Sequence, residues 1–148
     1  MTRSILSVAV LMAAFAGPAL AQQGKPGAHF IENWDMDGDG QVTLAEAETK
    51  RDEIFYMFDQ DENDVLDATE YVLFDETRRA DMDTNAGGHK KGPMKAVDAG
   101  MKLEFNDTDG DGAVSKAEFL ARTADWFAMV DRTGDALITG DDFGSKSN

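Results

Sequence analysis

The sequence predicts an all-α protein, in which helix-loop-helix repeats pack as a compact small bundle with short β contacts between the loops. Two observations carry that prediction: an acidic twelve-residue pattern recurs at a fixed period, and the stretches between its copies show helical periodicity. Three copies are close matches: DMDGDGQVTLAE from Asp35 to Glu46, DQDENDVLDATE from Asp59 to Glu70 and DTDGDGAVSKAE from Asp107 to Glu118. A fourth, DRTGDALITGDD from Asp131 to Asp142, is looser. The copies start at 35, 59, 107 and 131, so the intervals are 24, 48 and 24 residues.

The first 21 residues read as an export signal: Arg3, an apolar run from Ile5 to Ala16, the breaker pair Gly17-Pro18, and an Ala19-Leu20-Ala21 cleavage site. The run is too short for a membrane anchor, so the expectation is a periplasmic or secreted chain cleaved after Ala21, with residues 22–148 forming one domain. The whole chain carries 14 Lys and Arg against 29 Asp and Glu, a net charge of −15, which becomes −16 once Arg3 is removed. That sign excludes nucleic acid as a partner. The chain has no Cys, so disulfides cannot staple this small domain, and bound metal is the usual other staple.

The four stretches resemble EF-hand loops, and the resemblance covers nearly all of residues 22–148. Their acid spacing has a physical reason: a cation of calcium's size takes six to eight oxygens at about 2.3–2.6 Å. Short acids at positions 1, 3 and 5 point inward as the chain wraps the ion, a carbonyl serves at position 7, and a Glu at position 12 closes the cage. In loop 1 the resemblance implies Asp35, Asp37, Asp39, Gln41, Thr43 and Glu46 as ligands. In loop 2 it implies Asp59, Asp61, Asn63, Val65, Asp67 and Glu70. Loop 3 supplies Asp107, Asp109, Asp111, Ala113, Ser115 and Glu118, and loop 4 supplies Asp131, Thr133, Asp135, Leu137, Thr139 and Asp142. The residues at position 7 act through their backbone.

Gly40 and Gly112 occupy position 6, where the turn demands positive φ; Asp64 and Ala136 stand there in loops 2 and 4. Loop 4 is expected to bind weakest, because Thr133 replaces an acid, Ala136 replaces Gly and Asp142 is one carbon shorter than Glu. The hands are expected at 30–50, 54–75, 101–122 and 126–146. The skipped beat of the 24-residue period falls at Asp83, where residues 83–94 read as a degenerate fifth unit turned linker, with Lys90 and Lys91 arguing against metal.

Twelve residues without Gly or Pro separate loop 1 from loop 2, and twelve separate loop 3 from loop 4. Each stretch is expected to be one helix, Leu44 to Phe58 and Lys116 to Val130. Leu44, Ala47, Ile54, Phe55 and Phe58 recur at helical spacing with one break at Arg51, as do Phe119, Thr123, Trp126, Phe127 and Val130, so their aromatics are expected in the core. A 15-residue helix is about 22 Å long, so neighbouring loops cannot pair with each other. Pairing through position 8 (Val42, Leu66, Val114 and Ile138) is therefore expected between loops 1 and 4 and between loops 2 and 3, with the segment around Gly87 and Gly88 as hinge.

This compact spacing differs from that of calmodulin-like proteins and resembles bacterial exported EF-hand proteins, among them the lanmodulins, which bind lanthanides in the periplasm. Lanmodulin loops carry Pro at position 2, where this chain has Met36, Gln60, Thr108 and Arg132. They also carry Asp at position 9, where only Asp67 complies. His29 lies in a Gly- and Pro-rich segment, His89 lies in the linker, and the carboxylates are taken up as ligands, so no catalytic apparatus is expected and the protein is read as not an enzyme. Three binding functions remain: a calcium buffer or calcium-stabilised module with up to four Ca2+ sites, a lanthanide(III) carrier or sensor, and a calcium-dependent module for a protein partner. The six Met after Ala21 do not share one helix face, so they are expected to fill gaps in the core.

Overall fold

The computed structural model describes residues 25–85 and 92–144. The expected export signal, residues 86–91 of the expected linker with its hinge at Gly87 and Gly88, and the end of the expected fourth unit lie outside the described residues. Chain order is α1 (Ala28–Trp34), α2 (Leu44–Phe58), β1 (Val65–Leu66), α3 (Ala68–Asn85), α4 (Met94–Ala99), α5 (Leu103–Asn106), β2 (Val114–Ser115), α6 (Lys116–Ala121), α7 (Thr123–Val130) and α8 (Gly140–Phe143). The protein is mostly helical, with one two-stranded sheet among the described residues. None of the described helices is long and apolar enough to cross a membrane.

The four acidic loops pair across the halves of the chain. β1 and β2 run antiparallel with Val65 opposite Ser115 and Leu66 opposite Val114, joining loop 2 to loop 3. Val42 and Ile138 form an isolated antiparallel bridge, joining loop 1 to loop 4 through N···O distances of 2.8 and 2.9 Å. All four position-8 residues are fully buried. The expected pairing follows from helix length: α2 spans its predicted 15 residues without interruption, which holds loops 1 and 2 apart.

The second long helix departs from expectation. It divides at Arg122 into α6 and α7, although nothing between Lys116 and Val130 is a helix breaker. At the division an Arg51 Nη donates to the Phe119 carbonyl at 2.7 Å, the oxygen that faces the amide of Thr123 in an unbroken helix. Residues 83–85, expected as linker, form instead the last turn of α3. That helix is anchored by buried Met82 and by Arg78, which bonds Asp75 and donates to the Asp98 carbonyl at 2.9 Å.

Ahead of loop 3 the chain forms two short helices, α4 and α5, with Gly100 between them. A Cβ there would lie 1.8 Å from Cδ1 of Trp126, so the backbone packs directly on a fully buried indole. His29 lies in α1 rather than in an irregular segment, and its ring meets Asp81 of α3 at 3.0 Å.

The core is one cluster. Trp126 packs on Trp34 with ring centroids 4.6 Å apart, and Trp34 stacks on Phe30. Phe55, Phe74 and Phe119 carry the cluster toward loops 2 and 3. The expected apolar faces of α2 and of the α6–α7 segment are buried except at their edges, where Leu44 is exposed and Ile54 half-buried. Met82 and Met101 fill the core as expected, whereas Met36, Met57 and Met129 are exposed. Met57, Met82, Met94 and Met101 converge nonetheless on one cavity of about 440 Å³ beside Phe58 and Phe74, a gathering that no single helix face encodes.

Candidate metal centre

Each acidic loop is organised by amides that point at its own carboxylates. The position-6 amide donates to the position-1 carboxylate in all four: Gly40 to Asp35 at 2.7 Å, Asp64 to Asp59 at 2.9 Å, Gly112 to Asp107 at 3.0 Å and Ala136 to Asp131 at 2.9 Å. The position-7 amides of Gln41, Val65, Ala113 and Leu137 donate to the position-5 side chains of Asp39, Asn63, Asp111 and Asp135, at 2.8 to 3.1 Å. Such bonds span only a few residues, so they form wherever an Asp or Asn precedes a turn of this shape.

The position-12 carboxylate closes each loop from the other end. One oxygen accepts the position-2 amide, of Met36, Gln60, Thr108 or Arg132, at 2.7 to 3.0 Å. The other accepts the position-9 amide, of Thr43, Asp67, Ser115 or Thr139, at 2.8 to 3.0 Å. Positions 9 and 12 thereby double as the capping box of the following helix, complete at Thr43 and Glu46, at Ser115 and Glu118, and at Thr139 and Asp142. Asp67 does the same with its carboxylate, which accepts from Thr69 and Glu70. The shorter Asp142 still reaches both ends of loop 4.

This circuit sets the charge state of the cluster. The Gly40 amide outweighs burial and, with those of Gly38 and Asp39, holds Asp35 below the usual carboxylate range. The amide and hydroxyl of Ser115 and the hydroxyl of Thr108 bring Glu118 down to about 2. Position 3 goes the other way: the amides of Asp39 and Asp111 pull Asp37 and Asp109 down, but desolvation and the neighbouring carboxylates push both up. In loops 1 and 3 the repulsion is thus concentrated on the position-3 acid.

Three loops bring carboxylate oxygens within 4.8 Å of one another: Asp35, Asp37 and Asp39 in loop 1, Asp59, Asp61 and Glu70 in loop 2, and Asp107, Asp109 and Glu118 in loop 3. Oxygens 2.3–2.6 Å from one calcium-sized ion lie at most about 5 Å apart, so these residues fit a hard cation. Among the described residues, loop 4 gathers no such trio. Its position-3 residue is Thr133, whose hydroxyl bonds Asp131 at 3.2 Å, and Asp142 is fully buried on its amides.

Sequence reasoning missed a second left-handed position. Positive φ occurs at position 6 (Gly40, Asp64, Gly112 and Ala136) and equally at position 4, in Gly38, Glu62, Gly110 and Gly134. Three glycines at position 4 were the available signal. Ala136, at φ 67°, bears the steric cost of about 1–2 kcal/mol that a Cβ meets in this region. After the larger unfolded-state entropy of Gly is counted, Ala136→Gly is expected to stabilise the protein by about 0.5–1 kcal/mol in urea unfolding. A loss of stability would show that loop 4 needs the Ala methyl.

No model of a known protein family matches the chain, and no curated protein is detectably similar to it.

Proposed function

We propose that the protein is an exported calcium-binding protein of the EF-hand type, acting as a buffer or as a module stabilised by calcium, with up to four sites of which the fourth is weakest. The observation that carries this reading is the repetition of one hydrogen-bond circuit in all four loops, with carboxylate oxygens converging in loops 1 to 3. Loops built only to turn the chain would have no reason to crowd three to four like charges against their mutual repulsion. Calcium is the first choice of ion because extracellular modules use it at about 10⁻⁴–10⁻³ M.

Lanthanide(III) carriage is the second reading. Loops 1 to 3 each hold four carboxylates among their ligand positions, and a trivalent ion of similar radius gains more from each of them. Preference in a competition therefore does not decide between the readings; conformational response does. Far-ultraviolet circular dichroism is expected to change with calcium at millimolar levels or below. A signal flat to about 10 mM calcium that moves with stoichiometric lanthanide would establish the second reading in place of the first.

A further inference from the structure

Arg51 is the residue that the helical pattern of α2 counts as a break, yet it is fully buried. Its guanidinium lies 3.9 Å from the ring centroid of Phe119, and among the described residues no carboxylate forms an ion pair with it. One Nη donates to the Gly100 carbonyl and to Sδ of Met101, both at 3.3 Å, and the closest partners of the guanidinium are two oxygens at opposite ends of loop 3. The other Nη donates at 2.7 Å to Oδ1 of Asn106 and at 2.7 Å to the carbonyl of Phe119. Asn106 immediately precedes Asp107, the first acid of the loop, and Phe119 immediately follows Glu118, the last.

Asn106 is itself held from every side. Its Nδ2 donates to the carbonyl of Lys102 at 2.8 Å and to that of Gly100 at 3.2 Å, and it meets the hydroxyl of Tyr71 at 3.2 Å. Tyr71 immediately follows Glu70, the last acid of loop 2, and donates to the Met101 carbonyl at 2.7 Å. The residue before loop 1 is Trp34 and that before loop 4 is Val130, and neither has a side-chain oxygen able to accept from a guanidinium as Asn106 does.

We propose that Arg51 is a positioning residue for loop 3: its guanidinium ties the two ends of the loop together and sets the separation of Asp107 and Glu118 for the cation between them. This rests on the metal-binding reading above. The two N–H bonds of one nitrogen of the planar guanidinium fork point in fixed directions, so that nitrogen can hold two oxygens at a defined distance. Arg51 also contributes to the core through the rings of Phe119 and Trp126, so the test separates a loss confined to loop 3 from a general loss of stability.

The test uses the amides of Gly40 and Gly112, each bonded to the first acid of its own loop, as site-resolved nuclear magnetic resonance probes during calcium and lanthanum titrations. For Arg51→Met, Gly112 should titrate about tenfold weaker or more, as when the outer partners of metal ligands are removed, while Gly40 stays within about twofold. Metal-free thermal stability should fall, since the oxygens of Gly100, Asn106 and Phe119 lose a buried donor, so the decisive reading is the difference between the two amides in the folded protein. If Arg51→Met does not fold, Arg51→Lys, which keeps a buried cation without the fork, should show the same selective loss at Gly112. Equal loss at Gly40 and Gly112, or none at either, overturns the proposal while the metal-binding reading stands. A wild-type protein in which neither amide responds to either ion overturns both.

Discussion

Stripping the protein with a chelator is expected to cost both helix and thermal stability. Helices shorter than about 12 residues are marginal on their own, and most of the described helices are of that kind: α1 has seven residues, α5 and α8 have four each. Their order depends on the loops that cap and orient them. Without a cation, Asp37 and Asp109 sit among like charges that push them above the usual carboxylate range, and opening the loop relieves that repulsion. Four divalent ions would bring the whole chain from −15 to −7. Each site held at a hundredfold excess of ion over Kd adds about 2.7 kcal/mol, so three strong sites can shift Tm by more than about 10 °C. Ellipticity at 222 nm and the melting midpoint should fall together on chelation and return with calcium. A protein whose spectrum and melting are unchanged by chelation does not use these loops for metal.

The loops were legible in the sequence because their bonds are local. An Asp at position 1 and an amide five residues on can be read from spacing alone, and so can the capping boxes at Thr43 and Ser115. The pairing of distant loops was legible through a length argument, since α2 keeps loops 1 and 2 apart. What was hidden depends on contacts between remote segments. Arg51 looks like an interruption of an apolar stripe until Gly100, Asn106 and Phe119 are brought to it. The same residue meets the α6–α7 segment at its division, a contact that residues 116–130 alone do not show. The cavity lined by four methionines draws on α1, α2, α3, α4 and the turn after α4, and its residues share no period. Glu62 concealed the left-handed position that Gly38, Gly110 and Gly134 reveal together.

The position-12 residues are expected to separate metal binding from stability. In loop 3, Glu118 is half-buried and closes a loop whose Asp107 and Asp109 oxygens converge with its own. Glu118→Gln keeps the shape of the side chain and part of its capping role but removes one charge from the donor set. Calorimetric titration should show one strong binding event fewer, with a modest loss in metal-free melting. In loop 4, Asp142 is fully buried and accepts from the amides of Arg132 at 2.7 Å, Thr133 at 2.9 Å and Thr139 at 2.8 Å. Those amides outweigh burial and hold its carboxyl below the usual range. Asp142→Asn turns an NH2 toward donors that need an acceptor, a change worth about 1–3 kcal/mol in a buried setting, while the strong events in the titration should persist. Loop 4 would then serve chiefly to seat α8 and hold loop 1 through the bridge between Ile138 and Val42. If Asp142→Asn removed more binding than Glu118→Gln, the ranking of the four loops by their closing carboxylate would be reversed.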